Sequence, residues 1–280
     1  MPQTPPVVLT IAGFDPSSGA GVTADVKTIA AHGCYGVAAI TALTVQSTVG
    51  VRKVVPSDPN LLTETLQELA SDSQVSAVHI GMLGSGEVAV KVAEFLESTK
   101  LPNIVLDTVL SSTSETRLLD QEGIRVLCER LLPLATVITP NLAESTALTG
   151  IEISEVAEMK QAASRLHEMG AKGVVITGGH LEKAIDLLSL KDSYVQSFRS
   201  DKLDTPNTHG TGCAFSTAIA CQLALDRPLS TAVLLAKAYV TDAISSGYAI
   251  GKGAGPVNHM YRMRNHPRAA GLAKWASGKD

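Results

Sequence analysis

Short runs of apolar, largely β-branched residues recur along this chain, and the stretches between them carry apolar residues at three- and four-residue spacing. That alternation restricts the fold more than any single motif does, because strands lacking polar alternation must be covered on both faces. Residues 7–12, Val-Val-Leu-Thr-Ile-Ala, read as a buried first strand that Gly13 ends. Residues 19–31 carry Val22, Val26, Ile29 and Ala30 at helical spacing, and 36–44 read as a second strand. Ser57 or Asp58 caps the next helix, with Pro59 at its first position and Leu62, Leu66 and Leu69 on one face. Residues 75–83 are strand-like, and a helix over 87–98 lines up Val88, Val92 and Phe95. Further strands are expected at 104–110, 136–139 and 173–177, with helices at 121–132, 155–169, 212–225 and 231–246. Two segments, 186–190 and 194–198, break the rhythm and predict an antiparallel pair at one edge. The expected fold is α/β: a central, mainly parallel β-sheet flanked by helices on both faces, with a small antiparallel edge element.

No repeat of fixed period and no linker rich in Pro, Gly or Ser divides the chain, so residues 1–260 read as one domain. Residues 261–280 are more basic and contain Pro267 and Gly271; they read as a tail or a peripheral helix. With 45% hydrophobic residues the chain can bury a large core, but only ten residues are aromatic, so Ala, Val, Leu and Ile must build it. A formal charge of −4 offers no field for nucleic acid or an anionic membrane, so neither is expected as a partner. The N-terminus lacks a positive region ahead of an apolar stretch, and no run reaches the ~18 apolar residues of a membrane span. The four cysteines include no CxxC pair, which suits a reduced, cytoplasmic protein better than a disulfide or structural-zinc fold.

Chemistry-bearing residues concentrate where strands end. Gly13-Phe-Asp-Pro-Ser-Ser-Gly-Ala-Gly21 lies between the first strand and first helix, at the carboxyl end where open α/β sheets leave their binding crevice. It is neither GxGxxG nor a Walker loop. Gly81-Met-Leu-Gly-Ser-Gly86 reads mainly as a strand exit and helix cap. Asp25, polar within an apolar-periodic helix, and Gln46, after a long strand, could together hydrogen-bond a flat heterocycle; each could equally be exposed or locally bonded. Met82 is either core packing or one wall of a planar-ligand pocket. Asp107 ends an apolar strand, and its charge favours a position facing the crevice. Asn141 followed by Glu144 is a capping-box pattern, and the same carboxylate could orient magnesium-bound water near a phosphate.

Asn207-Thr-His-Gly-Thr-Gly-Cys-Ala214 directly precedes a helical segment and is the sharpest unit. Gly210 and Gly212 let backbone N–H groups converge as the helix begins, an arrangement suited to a transferring phosphoryl group. Cys213 falls at the positive helix end, which favours a thiolate able to take a proton from an acceptor hydroxyl. Cys221, eight residues on, reads as core. His209 either shapes this loop or contacts a nucleotide, and His180 could do likewise. The histidines form no spaced metal cluster.

These motifs in order (residues 12–21, 24–28, 41–46, 81–83, 105–107, 139–144 and 207–213) resemble the hydroxymethylpyrimidine/phosphomethylpyrimidine kinase family of thiamine biosynthesis, within the ribokinase-like superfamily. The resemblance spans residues 7–259. It implies ATP- and Mg2+-dependent phosphorylation of 4-amino-5-hydroxymethyl-2-methylpyrimidine and then of its monophosphate, by a homodimer. It also implies roles: Asp25 and Gln46 as pyrimidine contacts; Gly13, Ala20, Met82 and Val109 as pocket lining; Gly210, Thr211 and Gly212 as anion hole. Cys213 becomes the catalytic base, Asp107 and Glu144 serve the magnesium and phosphate region, and Asn141, Thr177 and His209 lie on the nucleotide-phosphate side. Two departures stand out. Thr177 precedes Gly-Gly-His where the family usually has Lys, and the loop after Val109 lacks the usual Lys-Ser-Gly, leaving Arg117 as a substitute phosphate contact. Pyridoxine, pyridoxal or pyridoxamine kinase activity and a noncatalytic pyrimidine-binding role are the alternatives.

Overall fold

The computed structural model describes residues 4–112, 116–179, 184–192 and 194–265. His180, the centre of the 110–117 loop and most of the 261–280 segment lie outside the described residues. Among the described residues nine strands form one sheet in the order β3-β2-β1-β4-β5-β6-β7-β8-β9. Six of them, β1 (Val7–Phe14), β2 (Tyr35–Ser47), β4 (Val75–Ile80), β5 (Ile104–Leu106), β6 (Val137–Ile138) and β7 (Gly173–Gly178), run parallel. The expected edge pair is present: β8 (Ala184–Leu190) and β9 (Val195–Ser200) are antiparallel to β7 and to each other.

The opposite edge carries a strand that periodicity did not reveal. β3 (Gly50–Pro56) folds back antiparallel on β2 through the tight Thr48-Val49 connection. It lacks an apolar run because it is an exposed edge, and Arg52 and Lys53 lie on it as charges that discourage further pairing. The helix expected at 121–132 is interrupted: α4 (Gln121–Val126) passes through a π-turn at Leu127–Leu131 into α5 (Leu132–Leu134). Pro133, which cannot donate a main-chain hydrogen bond, sits just beyond that turn.

Helices cover both faces of the sheet. One core packs α2 (Pro59–Asp72), α3 (Gly86–Thr99) and α7 (Val156–Glu168) beneath Leu9, Ile11, Ile80, Leu106 and Ile138. The other packs α8 (Thr211–Ala224) and α9 (Leu229–Ser245) against Val8, Ala77, Val105, Val137 and Val175. Adjacent strand residues alternate between these cores, so the parallel strands are mostly apolar on both faces. Local caps follow the sequence. Asp58 accepts from the Asn60 and Leu61 amides with Pro59 at the first helical position, and Ser85 accepts from Val88.

Candidate active site

The loop after β1 and the carboxyl end of β5 lie against the start of α8, and several candidate residues collect there. After β1 the chain makes a compact loop into α1 (Gly21–Ala31), organised by one carboxylate. Asp15, buried, accepts from Ser17 N and Oγ at 2.8 and 2.7 Å and from Gly19 N and Ala20 N at 3.2 and 2.9 Å. Its remaining partner is His209 Nε2 at 2.9 Å. Burial opposes the Asp15 charge, but His209, Ser17 and Ala20 prevail and hold the carboxyl below its usual range. His209 shapes the loop: its ring covers Gly19 and pins the Asp15 loop to the turn before α8.

That turn needs glycine. Gly210 has φ +82°, and a Cβ there would overlap the Gly19 carbonyl oxygen. Gly21, at φ +60°, likewise lies against the Gly13 carbonyl. Gly210 is the N-cap of α8, and no side chain caps the helix. The amides of Gly212 and Cys213 therefore lack intrahelical acceptors at the positive helix end, where an anion is stabilised. Thr211 Oγ1 is spent on Thr208 O at 2.7 Å. The turn is braced from below: His209 N donates to Gly255 O, and Val257 N donates to His209 O. The same following segment receives the β2–β3 tip, where Gly253 N donates to Thr48 Oγ1 at 3.1 Å.

Cys213 is half-buried, and its sulfur accepts from the Gly21 amide, placing it between the two glycine turns. The expected thiolate is not the resting form. Burial of the sulfur, then the negative charges of Asp107, Asp25 and Asp15, push the thiol well above its usual range, outweighing the Gly21 hydrogen bond.

On the pyrimidine side, Gly13 and Met82 are in contact: a Cβ on Gly13 would come 3.2 Å from both Met82 Sδ and Cε. Ala20, half-buried, is the N-cap of α1, and Val109, half-buried, follows β5. Gln46 is half-buried on β2 opposite Val51, with its Oε1 3.1 Å from Thr44 Oγ1. Asp25, expected either to contact a heterocycle or to be exposed or locally bonded, is held by neighbouring side chains. It is fully buried, accepting from Thr10 at 2.7 Å and Thr217 at 2.8 Å, with His79 Nδ1 3.3 Å away. Its surroundings were not foreseen; the signal was His79, an ionisable residue inside an otherwise apolar strand.

The phosphate-side candidates line the adjoining strand ends. Asp107 is buried below the start of α8, its Oδ2 3.9 Å from where a Gly212 Cβ would lie, accepting from Ser216 at 3.2 Å and Thr139 at 3.4 Å. Burial raises its pKa to about 6 against the pull of His79 and Ser216. Asn141 and Glu144 do form a reciprocal capping box at the start of α6 (Leu142–Thr149). Glu144 Oε2 also accepts from Thr108 Oγ1 at 3.3 Å, and burial followed by the Asp107 charge raises its pKa to about 8. Thr177 pairs with Asn141 across a parallel bridge, its amide donating to Pro140 O. Arg117 is exposed, and its Nε donates to Leu119 O at 3.0 Å. Among the described residues no group of three or more His, Cys, Asp or Glu side chains is placed to hold a metal.

A family model for phosphomethylpyrimidine kinase matches residues 15–258, reaching from the Asp15 loop to the brace beneath Gly210. The chain belongs to the phosphomethylpyrimidine kinase family. It is 42% identical to the hydroxymethylpyrimidine/phosphomethylpyrimidine kinase of Haemophilus influenzae, over 92% of this chain and 97% of that one. The structure superposes on phosphomethylpyrimidine kinase from Clostridium difficile with TM-score 0.76 and 37% identity, covering 85% of this chain and 99% of the other. It also matches pyridoxal kinase from Staphylococcus aureus in complex with AMP-PCP and pyridoxal, with TM-score 0.85 and 31% identity over 94% and 97% of the two chains. The fold is thus ribokinase-like. Among the described residues no helix is long and apolar enough to cross a membrane.

Proposed function

We propose that this kinase of thiamine biosynthesis transfers the γ-phosphoryl group of ATP to the hydroxymethyl oxygen of 4-amino-5-hydroxymethyl-2-methylpyrimidine, and then phosphorylates the monophosphate. The observation that carries the reading is the uncapped start of α8 with the Cys213 sulfur beside it, between the Gly21 and Gly210 turns. The pyrimidine ring lies between Gly13, Ala20, Met82 and Val109, with Gln46 meeting its polar edge. The amides of Gly212 and Cys213, with Gly210 and Thr211 shaping the turn, face the charge that develops on the migrating phosphoryl group.

Cys213 takes the hydroxymethyl proton as the alcohol oxygen attacks. A resting thiol must first release its proton to water, a loss that a positive counter-charge held in this acidic pocket would favour. The residues fit a magnesium ion: Asp107 and Glu144 are buried hard oxygen donors, burial raises both and the Asp107 charge further raises Glu144, and a cation would relieve that cost. Two carboxylates alone suit an ion that keeps its waters and the nucleotide phosphates. When bound, magnesium would neutralise phosphate charge. Asn141 and Thr177 line the nucleotide side of the same crevice.

The test is purified protein with ATP, magnesium and each pyrimidine acceptor, with the two phosphorylated products resolved. Formation of both is expected. Turnover of the alcohol but not of its monophosphate would remove the bifunctional assignment, a pointed outcome because Thr177 replaces a positive charge. The likeness to a pyridoxal kinase supports a second reading, since pyridoxal also carries a hydroxymethyl group on a flat heterocycle. A kcat/KM for pyridoxal above that for the pyrimidine alcohol would favour it.

A further inference from the structure

Lys27, on α1, reaches back from its helix to the loop that precedes it. The side chain is half-buried, and its Nζ donates to Ser18 O at 2.7 Å. Ser18 O belongs to the same peptide unit as Gly19 N, which donates to Asp15 Oδ2 at 3.2 Å. A trans peptide is planar with its C=O and N–H pointing opposite ways, so this one plane is gripped from both sides. An ammonium meets the negative oxygen and a carboxylate meets the positive N–H, two charge-assisted hydrogen bonds that reinforce one orientation.

Ser18 has φ +62°, a left-handed conformation that is costly for a residue with a Cβ and persists only where its surroundings enforce it. The next carbonyl, Gly19 O, is the one against which Gly210 packs so closely that no Cβ fits between them. A rotation of the Ser18–Gly19 plane would therefore move the wall on which the start of α8 rests. Two residues on, the Gly21 amide donates to the Cys213 sulfur, so the same loop also sets the thiol. The grip has a fixed base. Thr23, one turn before Lys27, places Oγ1 3.3 Å from Asp15 O and 3.2 Å from Ala20 O. Ala24, Asp25, Thr28 and Ile29 of the same helix are fully buried.

We infer that Lys27 is a positioning residue for phosphoryl transfer: with Asp15 it clamps the Ser18–Gly19 peptide and so fixes the spacing between the α1 loop and the Gly210 turn, between which Cys213 lies. This rests on the kinase reading above. The role is indirect, running from Lys27 through Gly19 and Gly210 to the amides of Gly212 and Cys213. Those amides face charge that develops only during transfer, so a misplaced turn lowers kcat more than it weakens substrate binding. A displacement of about 1 Å can lower a rate ~10²-fold.

The test compares the wild type with Lys27→Met, which keeps the stem and loses the ammonium, and Lys27→Arg, which keeps a cationic donor. With ATP, magnesium and the pyrimidine alcohol, we expect Lys27→Met to lower kcat by about 10- to 100-fold at near wild-type Tm, with both KM values changed less than about threefold. Lys27→Arg should recover much of that loss. Wild-type kcat in Lys27→Met, a loss confined to KM, or equal losses in both variants at equal Tm would overturn the inference. Hydrogen exchange over residues 17–20 of the wild type answers even where a variant fails to fold. Slow exchange of the Gly19 amide supports a clamped peptide, and exchange at the rate of an unprotected amide overturns it. Absence of transfer by the wild type is a separate outcome, which removes the kinase reading and this role with it.

Discussion

At the scale of single residues, the site is defined by two positions where chemistry leaves no alternative. Gly210 must be glycine, because its φ of +82° and the Gly19 carbonyl both exclude a Cβ. Gly210→Ala should cost roughly 1–3 kcal/mol from backbone strain alone, read as a lowered midpoint in urea, and should abolish turnover. Cys213→Ala should leave Tm and acceptor affinity near wild type while lowering kcat about 10²- to 10⁴-fold, the range of a lost general base; full turnover would remove the thiol from the mechanism. Glu144 gives a pH prediction. Its raised pKa means that the folded state keeps a proton that the unfolded chain releases above the ordinary carboxylate range. Stability should therefore fall as pH rises from about 4.5 toward about 8. Glu144→Gln should flatten that slope in Tm measured against pH in magnesium-free buffer. Much of this site was legible in sequence: the glycines, Cys213, Asp107 and the Asn141–Glu144 cap all lie at element ends, where spacing carries information. The pairing of Asp25 with His79 was not legible, because the partner of a buried ionisable group comes from a distant strand, and no local pattern encodes it.

At the scale of elements, the parallel strands and most helices were readable because each is buried and its periodicity is complete. The edge strand β3 was not, since an exposed, charged strand need satisfy no apolar pattern. The edge of β7 shows what tertiary contact adds. Asp186 of β8 lies directly across from Thr177, accepts from Gly178 N at 3.1 Å and pairs with Lys237 of α9 at 2.7 Å, with both residues buried. The pair fastens the β7–β8 hairpin to the helix behind it. Removing one partner strands the other, so Lys237→Ala should destabilise by about 3–5 kcal/mol. Combining Lys237→Met with Asp186→Leu should restore most of the loss, because an apolar pair replaces the ion pair. Denaturant unfolding of the single and double variants separates these outcomes; additive losses would show that the pairing itself contributes nothing.

At the scale of the molecule, the loop after β1 and the end of β5 bring Asp15 and Asp107 to a single helix start, where we expect substrate and nucleotide to meet. We expect a homodimer, testable by sedimentation at micromolar concentration. The brace after α9 has a consequence of its own. The stretch that ends at His259 receives the β2–β3 tip at Gly253 and, two residues on, holds the turn before α8 through Gly255 and Val257. It works as a keystone, so one backbone cut between Ile250 and Gly255 should uncouple the two rims of the crevice and silence transfer. The sheet behind them, whose ladders do not pass through that stretch, should keep its circular dichroism.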